Sequence, residues 1–124
     1  DQGSSSSSGR ATGQAVVDSA VQLVCNPYVW GGTSLTNGAD CSGFIMSVYA
    51  QFGYSLPHSS SAMRSVGRGV SYAEAQPGDI ICYDGHVAIY MGGGQIVHAS
   101  NAKDGIKISG NAAYRTILAV RRLV

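Results

Sequence analysis

Apolar residues recur at helical spacing in two stretches of the first half of the chain. The stretch at 13–24 has one apolar side, formed by Ala15, Val16, Ala20, Leu23 and Val24. The second stretch repeats at i, i+3, i+4, i+7, i+8 and i+11, with Cys41, Phe44, Ile45, Val48, Tyr49 and Phe52 on one face. Asp40 is a good N-cap for the second stretch, and Gly53 is suited to end it. Asn26-Pro27 ends the first stretch, because proline disfavours helix at the preceding residue. The pattern therefore predicts two helices.

The second half of the chain changes to short alternating or β-branched runs, which are typical of strands. After a turn signal at 76–78, such runs cover 79–83, 86–91, 95–99 and 116–120, with a further candidate at 107–109. A short third helix is expected within 57–66, with Ser59 or Ser60 as its cap. Because the helices precede the strands and do not alternate with them, the order predicts an α+β fold with an antiparallel sheet.

Composition limits the domain count and the partners. The 124 residues suit one domain. Residues 1–12 hold five consecutive serines next to glycines, a composition typical of a flexible linker, so we expect a tether at 1–12 and one domain at 13–124. The net charge of +1 gives no field that would attract nucleic acid or acidic membranes. No apolar run reaches the roughly 18 residues that membrane insertion requires.

The three cysteines differ in their predicted surroundings. They are too few for a disulfide framework and have no CxxC spacing. Cys41 falls at the start of the clearest helix, where unpaired N–H groups and the positive dipole end favour a thiolate and lower the thiol pKa. Cys25 falls at the end of a helix and Cys82 within an apolar strand, so both are interpreted as structural.

Two of the three histidines flank a predicted hairpin whose turn contains three consecutive glycines. Pairing of Met91 with Gln95 would place Ala88 opposite His98, two residues from His86 on the same face. A tighter turn would place the two histidines directly opposite each other. Either register puts both imidazoles on one side of the sheet, whereas a slip of one residue would separate them.

Such a histidine pair has three interpretations. It is a metal pair, with Cys41 as a third ligand. It is a relay in which His86 moves the proton of Cys41 and His98 orients His86. Or the two rings are structural and hydrogen-bonded to each other. The spacing alone leaves all three open.

Six short motifs occur in the order found in the NlpC/P60 family of cysteine peptidases, which the sequence resembles over residues 13–124. They are YVWGG at 28–32, ADCSGF at 39–44, LPHSS at 56–60, QPGDI at 76–80, GHVAIYMGGG at 85–94 and IVHA at 96–99. The resemblance implies a papain-like α+β fold with N-terminal helices packed on a small antiparallel sheet. It also implies cleavage of peptidoglycan stem peptides, usually at the D-γ-glutamyl bond to diaminopimelate or lysine.

The resemblance also implies roles for individual residues. It assigns Cys41 as nucleophile, His86 as base and His98 as the third polar member. Tyr28 matches a tyrosine beside the nucleophile that helps to hold the oxyanion. Two further positions flank the nucleophile and contact the substrate, namely Asp40 and Ser42. No metal or cofactor is required by this chemistry.

The remaining expectations concern context and departures from the family. The partners would be stem peptides or muropeptides, and the chain would be a monomeric C-terminal domain of a secreted or wall-bound bacterial protein. His58 stands where relatives often carry arginine, which would change the charge of the groove. The alternatives are an N-acetylmuramoyl-L-alanine amidase, lipid acyl transfer by the same relay, and a wall-binding module without activity.

Overall fold

The computed structural model describes residues 12–24, 32–34, 38–101 and 105–123, and its main elements are two helices and a six-stranded antiparallel sheet. The helices are α1 (Gly13–Val21) and α2 (Cys41–Ala50). A two-stranded ribbon is formed by β1 (Thr33–Ser34) and β2 (Gly38–Ala39). The large sheet contains β3 (Arg68–Val70), β4 (Ile80–Tyr83), β5 (His86–Gly92), β6 (Gln95–Asn101), β7 (Gly105–Ser109) and β8 (Ala119–Arg122). The predicted α+β fold is confirmed.

The order of the large sheet is β3-β8-β4-β5-β6-β7, with every neighbouring pair antiparallel. Four predicted strands are present with small shifts of their ends. The prediction at 116–120 is displaced, since β8 covers Ala119–Arg122. β3 was not predicted, because Arg68-Gly69-Val70 has no apolar alternation and is held by pairing with β8.

Both faces of the sheet are covered, and the helices lie on only one of them. α1 and α2 pack their apolar sides against side chains from the central strands, among them Ile80, Cys82, Val87, Ile89 and Val97. The opposite face carries a second cluster, formed by Ile81, Tyr83, Ala88, Tyr90, Ile96, Ala112 and Val120. Part of this second face is covered by a 3-10 turn at Ala112–Tyr114. This division follows the period of two along each strand.

The predicted cap of α2, Asp40, is confirmed, whereas α1 and the third predicted helix differ from the prediction. The Thr12 side chain accepts the N–H of Ala15 at 3.1 Å, so α1 begins directly after it. α1 ends at Val21, earlier than predicted. The helix predicted within 57–66 is a short 3-10 turn at Ala62–Ser65, and the Ser59 hydroxyl accepts the N–H of Ala62 at 3.2 Å. Residues 1–11 of the predicted linker lie outside the described residues.

The β5–β6 hairpin sets the position of both histidines. Ile89 pairs with Val97 and Tyr90 with Ile96. Continued by one residue, this register places Ala88 opposite His98, as in the first predicted arrangement, although Gly92 and not Met91 pairs with Gln95. The register shifts at the turn, where three glycines adopt positive φ of 94°, 62° and 81°. Glycine suits this turn because it adopts positive φ without a steric penalty.

Candidate active site

The N-terminus of α2 is held by Asp40. Its Oδ1 accepts the N–H of Gly43 at 2.7 Å, and its own N–H donates to the carbonyl of Gly32 at 3.1 Å. A Cβ on Gly43 would overlap the Gly32 carbonyl oxygen, so this contact requires glycine. The cap and the close backbone approach together place Cys41 at the first position of the helix.

The Cys41 thiol is largely buried, with 9% of the residue exposed, and its Sγ lies 4.0 Å from the carbonyl oxygen of Gly85. Burial raises the pKa of Cys41 above its usual value, and the charge of Asp40 acts in the same direction. The backbone N–H groups of Val87 and Ser42 act in the opposite direction but do not compensate. The lowered pKa predicted from the helix N-terminus is therefore wrong for the free protein, because burial outweighs the helix effect.

The two histidines form a hydrogen-bonded chain across the hairpin. His86 Nε2 lies 2.7 Å from His98 Nδ1, and His98 Nε2 lies 2.8 Å from the hydroxyl oxygen of Ser109 on β7. The histidines are only 5% and 2% exposed, respectively. His86 follows Gly85 directly, so the chain of rings begins one residue from the backbone carbonyl that contacts Cys41.

Both imidazoles favour the neutral form. Burial, with smaller contributions from the nearby charges of His98 and Arg115, lowers the pKa of His86 to about 3. Burial likewise lowers the pKa of His98 to about 4, with contributions from Lys107 and Arg115. Neutral rings can accept a proton, which is what a general base requires.

Two tyrosines pack against the histidines and were not singled out from the sequence. Tyr83 stacks on His86 with ring centroids 5.9 Å apart, and Tyr114 contacts both Tyr83 and His98. The Arg115 guanidinium lies 5.4 Å from the centre of the Tyr114 ring. The pairing of Tyr83 with His86 in the β4–β5 hairpin is the signal that could have identified Tyr83. Tyr114 lies in an irregular segment, which carries no such pattern.

A cavity of about 350 Å³ opens at Cys41. It is lined by Asp40, Cys41, Ser42, His58, Ser59, Ser60 and Gly85, five of which carry a carboxylate, imidazole or hydroxyl group. His58 Nε2 lies 2.9 Å from Asp40 Oδ1, so the histidine at the position of a common family arginine pairs with the cap of α2. The Ser42 hydroxyl lies 3.5 Å from the same Asp40 oxygen. The cavity thus brings a carboxylate and several hydroxyl groups to the thiol.

The structure groups most of the residues predicted from the sequence. Asp40, Cys41 and Ser42 line one cavity, and His86 and His98 form the adjoining hydrogen-bonded pair. Tyr28, predicted to help hold the oxyanion, lies outside the described residues, as does Cys25. Within the described ranges, no group of three or more His, Cys, Asp or Glu side chains is placed to hold a metal ion. No helix of those ranges is long and apolar enough to cross a membrane.

Comparison with known proteins finds one family. The NlpC/P60 family model matches residues 25–120. A probable endopeptidase of Corynebacterium glutamicum is 44% identical over 95 residues, which are 74% of this chain and 45% of that protein. The gamma-D-glutamyl-L-lysine dipeptidyl-peptidase of Bacillus subtilis is 31% identical over 107 residues, which are 80% of this chain and 36% of that protein.

A solved structure agrees with these sequence matches. The crystal structure of the NlpC/p60 domain of the peptidoglycan hydrolase SagA superposes with a TM-score of 0.83 at 32% identity, and covers 91% of this chain and 100% of that chain. The chain therefore matches one whole NlpC/p60 domain, whereas it spans less than half the length of the two relatives compared above.

Proposed function

The chain belongs to the NlpC/P60 family of peptidases, and on that premise we propose that it cleaves peptidoglycan stem peptides through an acyl-enzyme on Cys41. One observation carries the proposal: Cys41 begins α2 on the wall of a cavity that also holds a carboxylate and hydroxyl groups, and its thiol contacts the backbone next to the buried histidine pair. A nucleophile, a base and a group that orients the base are the parts that covalent catalysis requires.

Attack begins from the neutral thiol and the neutral imidazole. Nε2 of His86 is engaged with His98, so Nδ1 is the nitrogen left to take the proton of Cys41. As that proton moves, the sulfur electron pair forms a C–S bond and the carbonyl π pair moves to oxygen. N–H groups at the start of α2 and, by family resemblance, Tyr28 stabilise this oxyanion. A donor of this kind contributes a factor of about 10²–10³ in rate.

Collapse of the tetrahedral intermediate breaks the C–N bond, and His86 returns its proton to the leaving amine. The thioester is then hydrolysed by water, which gives a proton to His86 as it attacks; the imidazole passes that proton to the departing Cys41 sulfur. His98 holds the His86 ring in place throughout. All atoms and charges balance without a metal ion or cofactor.

The substrate assignment is supported by the cavity and by the relatives. Asp40 and Ser42 offer a carboxylate and a hydroxyl beside the thiol, which suits a free amino group at the start of a trimmed stem peptide. One relative is named for the gamma-D-glutamyl-L-lysine bond. We therefore assign the D-γ-glutamyl bond to diaminopimelate or lysine. Because that substrate is part of the bacterial wall, the enzyme would act at the wall or outside the cell.

The test is a digest of purified diaminopimelate and lysine stem peptides that begin with a free L-alanine, and of the corresponding disaccharide muropeptides, analysed by mass spectrometry. We compare the wild type with Cys41→Ala, using Cys82→Ala as the matched control, because Cys82 is a buried cysteine inside β4. The wild type and the control should release L-Ala-D-Glu, free from the stem peptides or still joined to the disaccharide from the muropeptides, whereas Cys41→Ala should release neither. Cleavage that persists in Cys41→Ala would contradict the role of the nucleophile.

The same digest distinguishes the alternatives. An amidase would release a free stem peptide that begins with L-alanine, and an acyl transferase would add mass to an acceptor. A binding module without activity would retain muropeptides unchanged, and Cys41 would not react with thiol reagents. Each outcome differs in mass from the proposed product.

A further inference from the structure

The histidine pair does not end at His98, because a third side chain continues it. Building on the proposed function, we propose that Ser109 is a positioning residue of the relay: its hydroxyl accepts the Nε2 proton of His98 and thereby fixes the tautomer of both histidines. His98 Nε2 lies 2.8 Å from Ser109 Oγ, within ordinary hydrogen-bond distance. No motif shared with the family contains Ser109.

The β6–β7 pairing places the serine. Ile96 lies opposite Ser109 and His98 lies opposite Lys107. Because alternate residues of a strand share a face, His98 and Ser109 lie diagonally on the same face of the sheet. The contact is therefore set by the sheet register, and both strands belong to regular structure next to the β5–β6 hairpin.

Burial, helped by the charges around the pair, keeps the rings neutral, so each imidazole has one proton to place. Lys107 lies opposite His98 on the neighbouring strand, and the charge of Arg115, in the segment after the 3-10 turn, acts on both rings. Both cations oppose an imidazolium, and burial has the same effect. With one proton on each ring, the direction of the hydrogen bonds depends on the group at the end of the chain.

Only two arrangements of protons satisfy the two observed contacts. In the first, His98 donates from Nε2 to Ser109, and His86 donates from Nε2 to the bare Nδ1 of His98. Nδ1 of His86 is then free to accept the thiol proton. In the second, the Ser109 hydroxyl donates to His98, His98 donates to His86, and Nδ1 of His86 carries a proton. The second arrangement has no base, so the proposed reaction requires Ser109 to act as the acceptor.

The tautomers can be measured without any substrate, by two-bond ¹H–¹⁵N NMR correlation of ¹⁵N-labelled histidines near pH 7. We compare the wild type with Ser109→Ala and with Ser109→Thr, which keeps the hydroxyl. Ser71→Ala is the matched control, because Ser71 donates to Glu74 outside the site. The wild type, Ser109→Thr and the control should show His98 protonated on Nε2, whereas Ser109→Ala should show a mixture of tautomers or protonation on Nδ1.

Turnover of muropeptides provides the second measurement. Ser109→Ala should lower kcat about two- to tenfold, the usual effect of one hydrogen bond, and leave KM unchanged. Ser109→Thr should restore both the tautomer and kcat. The inference is overturned if Ser109→Ala keeps the wild-type tautomers, or if Ser109→Thr fails to restore them. If the wild type shows the expected tautomers but cleaves no muropeptide, the proposed function fails while the role of Ser109 stands.

Discussion

At the scale of single residues, the Cys41 thiol and the His86 imidazole both favour their neutral forms in the free protein. Burial is the main cause for each, and it raises the pKa of one while lowering the pKa of the other. Such a pair transfers its proton only as the sulfur attacks. It differs from a resting thiolate–imidazolium pair, which would already be reactive at acidic pH.

We therefore expect alkylation of Cys41 by iodoacetamide to be slow at neutral pH and to rise with pH, with a midpoint above the ordinary cysteine value of about 8.5. The sign follows from the chemistry, because the thiolate is the reactive form and a raised pKa delays its appearance. Peptide mapping by mass spectrometry locates the label. Cys82 is the internal reference, since burial raises its pKa to about 11.

The opposite result is easy to recognise. If the rate of Cys41 alkylation instead reached a plateau below pH 7, and His86→Ala abolished that plateau, Cys41 and His86 would form an ion pair in the free enzyme.

The position of Cys41 at the start of a helix can be predicted from the sequence, but whether its pKa is raised or lowered cannot. Burial depends on how β5 and α2 pack together, and no local pattern contains that information.

At the scale of elements, Asp40 combines a structural role with a proposed binding role. It caps α2 through Gly43, pairs with His58 and lines the cavity beside Cys41. Asparagine caps helices about as well as aspartate but lacks the charge. The substitution Asp40→Asn therefore separates the two roles.

Asp40→Asn should change the free energy of unfolding by less than about 1 kcal/mol. It should raise KM for stem peptides with a free N-terminus about ten- to a hundredfold, because the hydrogen bond between the carboxylate and the charged amino group is lost. Denaturant unfolding and steady-state kinetics measure the two effects. Thr12→Ala is the converse control: it removes the cap of α1, should cost about 0.5–2 kcal/mol and should leave KM unchanged. If KM were unchanged in a stable Asp40→Asn protein, Asp40 would have only the role of capping α2 and no role in binding.

A substitution at Gly43 tests how closely the start of α2 packs against the backbone of Gly32. In an exposed helix, Gly→Ala would stabilise by about 1 kcal/mol, but here the new Cβ would overlap the carbonyl oxygen of Gly32. We expect Gly43→Ala to lower the free energy of unfolding by about 1–3 kcal/mol and to reduce kcat, because Cys41 lies two residues away. Gly110→Ala is the control, since open space surrounds Gly110. If Gly43→Ala were instead more stable than the wild type and fully active, the backbone at Gly32 would have to move to accommodate the new Cβ without cost.

The elements that the sequence predicts best are those with their own periodicity. α2 and the β5–β6 hairpin follow from apolar spacing and three glycines, and with them the positions of Cys41, His86 and His98. The sequence around β3 and Tyr114 has no apolar periodicity. β3 is held by its pairing with β8, and Tyr114 by its packing on Tyr83 and His98. Ser109 is missed for the same reason, since its contact to His98 depends on the register of two strands.

At the scale of the whole molecule, a buried ion pair ties the far end of the sheet together. Arg122 on β8 donates from Nε and Nη2 to the two carboxylate oxygens of Asp79, at 3.0 and 2.8 Å. Asp79 also accepts the N–H of Gln76 at 2.9 Å, and its side chain is only 2% exposed. Asp79 immediately precedes β4, whereas Tyr83 at the other end of β4 pairs with His86. The Asp79–Arg122 ion pair is thus about 13 Å along β4 from the residue that pairs with His86.

This separation predicts that stability and activity can be changed independently. Asp79→Asn leaves the Arg122 guanidinium without a charged partner, and removing one member of a buried pair is strongly destabilising. The midpoint of thermal unfolding should fall by roughly 10 °C, while kcat/KM well below that midpoint should stay within about twofold of the wild type. Calorimetry and the muropeptide assay measure the two quantities.

Asp84→Asn is the matched control for stability, because Asp84 is 99% exposed in a loose 3.8 Å pair with Arg64. The same substitution there should leave the unfolding midpoint nearly unchanged, since exposed ion pairs contribute little. If Asp79→Asn instead lowered kcat/KM in proportion to stability, the ion pair would be coupled to the histidines through β4. The sheet would then transmit strain to the relay, rather than serve as a rigid platform for it.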